Sequence, residues 1–113
     1  MRVIEHHMVI AFKKCVRGNL SRYRSGNTMV WREGNTVCIS LHNNTIITYD
    51  ITRPNEYFFD TCGWDSRTTY SRMNSFSHMM GLQLRFYTNK HVPHIMSRGN
   101  SKKLYGSFYY GKD

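Results

Sequence analysis

Alternating apolar and polar residues in the middle of the chain predict an antiparallel β-meander. The alternation breaks at Glu33-Gly34-Asn35 and at Asn43-Asn44-Thr45, which we interpret as two three-residue hairpin loops. This register places one apolar set on a single face: Met29, Trp31, Val37, Ile39, Leu41, Ile47, Tyr49 and Ile51. The other face then carries Cys38, Ser40 and Thr48. A shift of one residue would turn every side chain to the opposite face, so the prediction is sharp.

A helical pattern follows a fourth predicted strand, Tyr57 to Cys62. Tyr70, Met73, Phe76 or Ser77, and Met80 recur every three or four residues, which predicts the buried stripe of a helix over 68–80. The outer side is expected to carry Arg67, Ser71, Ser75 and His78. The N-cap is expected among Asp65, Ser66 and Thr68. Gly81 is expected to end the helix.

The remaining segments are less uniform. Alternation predicts strands at Leu82 to Tyr87, with Leu82, Leu84 and Phe86 inward, and at His91 to Met96 after a turn at Asn89-Lys90. Arg98 to Lys103 is polar and is interpreted as a loop, and Leu104 to Tyr110 as a last strand. At the N-terminus, Ile4, Met8, Phe12, Cys15 and Val16 fit a helix, whereas Met8, Ile10 and Phe12 fit a strand. We favour the helix.

These elements together predict an α+β fold. An antiparallel meander of four to six short strands packs on one amphipathic helix near 68–80, with a further helix at the N-terminus. We divide the chain into a basic N-terminal arm or helix at 1–25 and one compact α+β domain at 26–113. A chain of 113 residues with 40% hydrophobic and 14% aromatic residues has enough apolar side chains for such a core, which argues against global disorder.

Sequence composition also limits the cellular compartments in which we expect the protein. No apolar run approaches the roughly 20 residues of a membrane span, and the N-terminus lacks the pattern of a signal peptide. The cysteines are Cys15, Cys38 and Cys62, an odd number without a CxxC spacing, so we expect reduced thiols rather than a disulfide framework or a zinc site. We therefore expect a cytoplasmic protein that does not act on membranes.

The charge is strongly positive, with 16 Lys and Arg against 7 Asp and Glu. One segment, residues 13–32, contains no acid and carries Lys13, Lys14, Arg17, Arg22, Arg24 and Arg32. Such clustering predicts binding to a polyanion, either nucleic acid or an acidic protein surface. Aromatic residues alternate with cations at Arg22-Tyr23-Arg24 and Trp31-Arg32, a combination that single-stranded nucleic-acid binders use. Alternation on a sheet would also produce one exposed and one buried aromatic set without any ligand.

The run from Cys62 to Asn74 concentrates aromatic, basic and amide side chains at a helix start. Its candidate residues are Trp64, Arg67, Thr68, Thr69, Arg72 and Asn74. One interpretation is an anion site at the helix N-terminus, with Arg67 and Arg72 reinforcing it. The other, which we favour, is structural. Trp64 fills the core, the threonines cap the helix, and Arg72 or Asn74 bonds a strand carbonyl or loop backbone.

Catalytic and metal chemistry find little support in the sequence. His91 and His94 have an HxxH spacing, but Pro93 lies between them and no further ligand is near in sequence. No nucleophile elbow, P-loop or dinucleotide fingerprint is present. We therefore expect no metal, no cofactor and no enzymatic activity.

The chain resembles a diffuse group of small proteins from tailed bacteriophages. The resemblance rests on Gly26-Asn27-Thr28, on Leu41-His42-Asn43-Asn44, and above all on the Trp-to-Asn motif from Gly63 to Asn74. Asn43 replaces the usual turn glycine, and the basic arm is not part of the pattern. The resemblance implies a phage origin, hence the host cytoplasm, and carries no activity. We expect a non-enzymatic accessory protein that binds nucleic acid through the basic arm and an aromatic face of the sheet. The alternative is an anti-defence or host-takeover inhibitor docking on an acidic host protein, and self-association into a homo-oligomer stays open.

Overall fold

In the computed structural model, which describes residues 2–111, two helices lie on one face of a six-stranded antiparallel sheet, beside a second sheet of three strands. The helices are α1 (Val3–Val16) and α2 (Arg67–Met79). The large sheet has the order β1-β2-β3-β4-β5-β9, with bounds Arg22–Ser25, Thr28–Glu33, Thr36–Leu41, Asn44–Asp50, Tyr57–Asp60 and Ser107–Tyr110. The small sheet contains β6 (Leu84–Asn89), β7 (Val92–Ser97) and β8 (Asn100–Lys103). The predicted α+β meander is confirmed. Residues 112 and 113, the end of the predicted 26–113 domain, lie outside the described residues.

The N-terminal segment is helical, as favoured. Met8, Phe12 and Cys15 follow the helical period and are buried in the same hydrophobic cluster as the sheet. Ile10, which a strand would have turned inward with Met8 and Phe12, is 37% exposed. The helical period therefore describes this segment.

The predicted register between β2 and β3 is wrong by one residue. Glu33 pairs with Thr36, so the turn is Gly34-Asn35, and Gly34 adopts a positive φ of 63°. Val30 now lies opposite Ile39 and is fully buried. Trp31 lies opposite Cys38 on the other face, where it is half-buried. A shorter turn thus exchanges the two faces of β2.

The second hairpin also differs from the predicted pairing. His42 and Asn43 have φ values of 51° and 67°, as in a tight type I′ turn, and Leu41 pairs with Asn44. The register then shifts between Ile39 and Ser40, so that Ile39 pairs with Ile47. This bulge restores the predicted burial of the inner face at Val37, Ile39, Leu41, Ile47 and Tyr49. It also buries Ser40, which was expected on the outer face.

The small sheet contains one strand that the sequence pattern did not predict. Arg98 to Lys103 was expected to be a loop, but Arg98 and Gly99 form a turn with positive φ and Asn100–Lys103 pairs with β7. All four residues of β8 are exposed, so the strand carries no apolar alternation. Leu84 and Phe86 of β6 point inward as predicted.

Aromatic rings form the centre of the core. Phe76 of α2 lies edge-on to Phe12 of α1, with ring centroids 4.9 Å apart. The same ring meets Tyr57 and Phe59 of β5 at 5.6 Å and 6.1 Å. Edge-to-face pairs of this kind add to the free energy gained by burial. Phe76 therefore joins both helices to the large sheet.

A buried carboxylate ties α1 to α2 and β2. Glu5 is 1% exposed, and its Oε2 accepts hydrogen bonds from Arg72 Nη1 at 2.8 Å and from Ser71 Oγ at 2.6 Å. Its Oε1 accepts a hydrogen bond from Ser75 Oγ at 2.5 Å. Arg72 Nε also donates to Thr28 Oγ1 of β2 at 3.1 Å. Ser71 and Ser75, which the sequence placed on the outer side of the helix, are turned toward Glu5.

Two opposing effects set the pKa of Glu5. Burial of the carboxylate raises its pKa, but hydrogen bonds from Ser71, Ser75 and Arg72 together outweigh burial and lower the pKa below its usual value. The ionised form is therefore favoured by the fold. Its contribution to stability is present above the unfolded-state pKa and is lost as pH falls through the lowered folded-state pKa.

Truncating Phe76 should destabilise the protein far more than truncating Trp31. We expect Phe76→Ala to lower the free energy of unfolding by roughly 3–5 kcal/mol, because it leaves a cavity among three buried rings. Trp31→Ala should cost less, since Trp31 lies outside the core on the open face. Urea unfolding followed by circular dichroism measures both values. Equal losses would contradict the observed register.

Glu5→Gln should destabilise the protein at neutral pH and flatten its acid unfolding profile. A buried Arg72 left without its carboxylate should cost about 3–5 kcal/mol. Wild-type protein should lose stability as pH falls below about 4.3, the ordinary value for glutamate, and the variant should lose less over the same interval. The double variant Glu5→Leu, Arg72→Met should recover stability, because it leaves no unpaired buried charge. Parallel pH profiles for wild type and Glu5→Gln would argue against the role of this carboxylate.

Candidate nucleic-acid interface

The fold separates the predicted basic cluster into distinct places. Lys13, Lys14 and Arg17 are exposed on α1, which packs on the inner face of the large sheet. Arg22 and Arg24 are exposed on the edge strand β1 and point to the opposite face of that sheet. The cluster is therefore contiguous in sequence but divided in space.

Arg32 performs a structural task. Its Nη1 donates to the carbonyl oxygens of Cys15 and Val16 at 3.1 Å and 3.2 Å, and its Nε donates to Gly34 O at 2.9 Å. These carbonyls end α1, where a cation also complements the negative end of the helix dipole. The guanidinium of Arg32 is thus engaged in holding α1 against the first hairpin.

The corner from Ser66 to Asn74 is bonded internally. Ser66 caps α2, since its Oγ accepts a hydrogen bond from Thr69 N at 3.1 Å and lies 3.0 Å from Thr69 Oγ1. Asn74 donates from Nδ2 to Phe86 O at 2.8 Å and accepts from Phe86 N at 2.7 Å. This pair of bonds attaches β6 to α2. Arg72 is the buried partner of Glu5 described above.

Trp64 does not fill the core, so that part of the structural interpretation is wrong. Trp64 is 64% exposed. Cys62 and Gly63 both have positive φ, at 55° and 81°, and they turn the chain outward immediately before the indole. Trp64 borders a groove of about 510 Å³ whose lining includes Leu41, Ile46 and Thr68. The indole is available at the surface, but on a different part of the molecule from Arg22 and Arg24.

Arg67 lies at a polar cavity of about 540 Å³ between α2 and the small sheet. Asp65 lines the same cavity and accepts a hydrogen bond from the Tyr70 hydroxyl at 3.0 Å. Burial and the neighbouring Asp65 carboxylate raise the pKa of Tyr70. Because a carboxylate accompanies Arg67 here, the cavity offers a mixed rather than a uniformly positive environment.

One straight row of side chains crosses all six strands on the open face of the large sheet. Successive strand pairs align Arg22 with Trp31, Trp31 with Cys38, Cys38 with Thr48, Thr48 with Phe58, and Phe58 with Tyr109. Directly paired residues of antiparallel strands share a face. With strands about 4.8 Å apart, the row is about 24 Å long. We call this set the open-face row.

The rings of the open-face row are accessible. Phe58 and Tyr109 are in contact, with ring centroids 4.5 Å apart, and Tyr109 is 55% exposed. Trp31 and Phe58 are half-buried. Phe12 and Phe76 of the helices contact Tyr49, Tyr57 and Phe59, which all belong to the inner face. The two helices therefore do not cover the rings of the open-face row.

Charge on the open face is unequal. Arg22 and Arg24 lie at the β1 edge. Three carboxylates share this face at the C-terminal ends of their strands: Glu33 on β2, Asp50 on β4 and Asp60 on β5. Asp50 is engaged with the backbone and hydroxyl of Thr52 at 2.9 Å and 2.7 Å, and Asp60 accepts from Cys62 N at 2.8 Å. In the middle of the row, burial raises the pKa of Cys38, so its thiol is neutral. An anion is therefore attracted to the β1 edge.

Sequence reasoning singled out Arg22 and Arg24 and the aromatic-cation pair Trp31-Arg32, but it placed Trp31 on the buried face. It missed Phe58 and Tyr109 as members of one surface. The signal was the alternation Tyr57-Phe58-Phe59, in which the middle ring must point away from its neighbours. Among residues 2–111, no group of three or more His, Cys, Asp or Glu side chains is placed to hold a metal ion. The cysteines are free thiols. No described helix has the length and apolar character needed to cross a membrane.

Comparison with known proteins gives one family match. No curated protein and no solved structure matches the chain. A family model described as Kyanoviridae Gp96 protein matches residues 1–112. This match covers nearly the whole chain and confirms the expected phage origin. The chain therefore belongs to the Kyanoviridae Gp96 protein family, a family of phage proteins.

Proposed function

We propose that this phage protein binds single-stranded nucleic acid on the open face of its large sheet, without enzymatic activity, in the host cytoplasm. The observation that carries the proposal is the open-face row, in which an arginine and three accessible aromatic side chains are aligned across six strands. Stacking on aromatic faces combined with phosphate attraction is how proteins bind single strands with little sequence preference.

The geometry favours a single strand over a duplex. Bases in a duplex are stacked on each other, so their faces are not available to Trp31 or Tyr109, whereas unpaired bases can be splayed onto such rings. Three strand spacings, about 14 Å, separate Trp31 from Phe58, which allows two separate stacking positions along one strand.

The charges favour one path for the phosphates. Arg22 and Arg24 at the β1 edge attract them. The carboxylates of Glu33, Asp50 and Asp60 repel them from the C-terminal ends of β2, β4 and β5. A strand would then place its backbone beside β1 and direct bases toward the centre of the sheet. In this arrangement Arg22 and Arg24 contribute affinity, and the rings select unpaired bases.

Removing a ring from the open-face row should weaken oligonucleotide binding. We expect Trp31→Ala and Tyr109→Ala each to raise the Kd for a fluorescein-labelled oligothymidine of 15 nucleotides by about tenfold, since one stacked base contributes ~1–3 kcal/mol. Fluorescence anisotropy measures the Kd, and circular dichroism verifies that each variant is folded. Trp64→Ala removes an indole that is more exposed than that of Trp31 and lies away from the row, so it is the control.

Three results would contradict the stacking interface. The first is an equal loss of binding in Trp64→Ala and Trp31→Ala. The second is tighter binding of a duplex of the same length than of the single strand. The third is that no oligonucleotide binds at low salt. In the last case, the alternative of an inhibitor that docks on an acidic host protein would be preferred.

Neutralising Arg22 and Arg24 together should reduce the salt dependence of binding. For single strands, each phosphate contact adds about −0.7 to the slope of log K against log salt, so Arg22→Gln, Arg24→Gln should flatten it by about 1.4. Lys90→Gln, Lys103→Gln removes the same net charge from exposed positions near the small sheet. Equal slopes for the two double variants would show that net charge, rather than the β1 edge, attracts the strand.

A further inference from the structure

A small pocket of about 140 Å³ opens on the helix side of the large sheet, opposite the open-face row. Its lining combines apolar side chains, two tyrosines and two cations: Phe12, Lys13, Val16, Arg17, Tyr49, Tyr57 and Met80. The volume equals that of a few water molecules, at about 30 Å³ each, and suits one aliphatic side chain. We call this pocket the tyrosine socket.

The tyrosines of the socket present hydroxyls without partners. Tyr49 and Tyr57 are 8% and 6% exposed, and their rings are stacked with centroids 5.0 Å apart. Neither hydroxyl makes a hydrogen bond within residues 2–111. No fully buried side-chain polar atom in this part of the chain lacks a partner, so each of these hydroxyls keeps some accessible surface. Both tyrosines line the socket. Burial, with Tyr49 and Tyr110 nearby, raises the pKa of Tyr57 to about 12, and its hydroxyl stays a neutral donor.

The rim of the socket is positively charged. Lys13 lies in the last turn of α1 and Arg17 caps the helix four residues later with helical φ and ψ, so both lie on one side of it. Neither forms an ion pair within residues 2–111, and no acid lines the socket. Arg32 already bonds the carbonyls of Cys15 and Val16 at the helix end. Arg17 caps α1 through its backbone N–H, so no described hydrogen bond of the helix end uses the side-chain cations of Lys13 and Arg17.

We propose that the tyrosine socket binds an acidic segment of a partner protein that inserts one aliphatic side chain. The side chain would occupy the apolar floor at Phe12, Val16 and Met80. Carboxylates flanking it would pair with Lys13 and Arg17, and a polar group of the same segment would accept from the Tyr57 hydroxyl. This site is separate from the open-face row and does not depend on nucleic-acid binding.

The chemistry of the socket favours a protein over a nucleic acid. A nucleobase requires an accessible aromatic face on which to stack. The rings of Tyr49 and Tyr57 are buried and stacked on each other, and they offer hydroxyls instead. An aliphatic side chain fits the apolar floor, and charge complementarity then selects acidic neighbours and increases the association rate.

A pair of designed peptides tests the proposal. The first is a fluorescein-labelled heptapeptide with a central leucine flanked by three aspartate or glutamate residues on each side. The second has glycine in place of the leucine and the same charge. We expect the leucine peptide to bind about tenfold more tightly by fluorescence anisotropy, because burying one aliphatic side chain contributes a factor of this order.

Variants of the protein separate the socket from its charged rim. Tyr57→Phe keeps the ring and removes the hydroxyl, and it should weaken the leucine peptide by about threefold to tenfold with an unchanged Tm. Lys13→Glu, Arg17→Glu should weaken both peptides by about tenfold or more. Lys90→Glu, Lys103→Glu is the control of equal net charge and should have little effect. Arg22→Gln, Arg24→Gln should leave peptide binding intact, which distinguishes this site from the open-face row.

Each contrary result overturns the proposal. Equal binding of the leucine and glycine peptides would show that only charge, and not the aliphatic side chain, contributes to binding. An equal effect of Lys90→Glu, Lys103→Glu would attribute binding to net charge alone. Absence of binding by both peptides at low salt would remove the site. If Lys13→Glu, Arg17→Glu weakened only the oligothymidine, the cations of α1 would belong to the nucleic-acid interface instead.

Discussion

The buried ion pair between Glu5 and Arg72 is the contact on which the arrangement of the whole molecule depends. It joins residues 67 positions apart in sequence and brings α1, α2 and β2 together through one carboxylate. Every oxygen of that carboxylate is bonded, by Arg72, Ser71 and Ser75. A buried pair that is fully bonded in this way defines where the helices lie, even where its net free energy is small, since any other docking would leave a charge without a partner.

The docking of both helices on one face determines what the other face can do. Phe76 fills the space between Phe12 and the rings of β5, so the apolar side chains of the helices are satisfied there. Within residues 2–111, neither a helix nor the small sheet covers the opposite side of the six strands. Phe86 of the small sheet contacts Phe59 on the inner face. A sheet covered on one side is common in antiparallel folds. An uncovered face that carries aligned aromatic rings is the unusual feature here.

Sequence patterns predicted the elements better than their pairing. The buried stripe of α2 at Tyr70, Met73 and Phe76 could be predicted, because few other structures fit a helical spacing of apolar residues over several turns. The face of β2 was not, because Met29 and Trp31 are as apolar as Val30, and only the length of the turn at Gly34 decides between them. Glu5 gave no signal as a lone acid near the N-terminus. Phe58 and Tyr109 became one surface only once β5 and β9, distant in sequence, were paired.

The division of the basic cluster follows from the same fold and changes how its charge is interpreted. A run of cations in sequence suggests one binding surface, but the turn between α1 and β1 sends Lys13 and Arg17 to one side of the sheet and Arg22 and Arg24 to the other. The side chains that surround each pair of cations differ. Beside Arg22 lie accessible ring faces, which suit bases, and beside Arg17 lie buried rings with free hydroxyls, which suit an acidic peptide segment. The net charge of +9 therefore includes two separate positive surfaces. The neutral side chains beside the cations determine which kind of partner each surface suits.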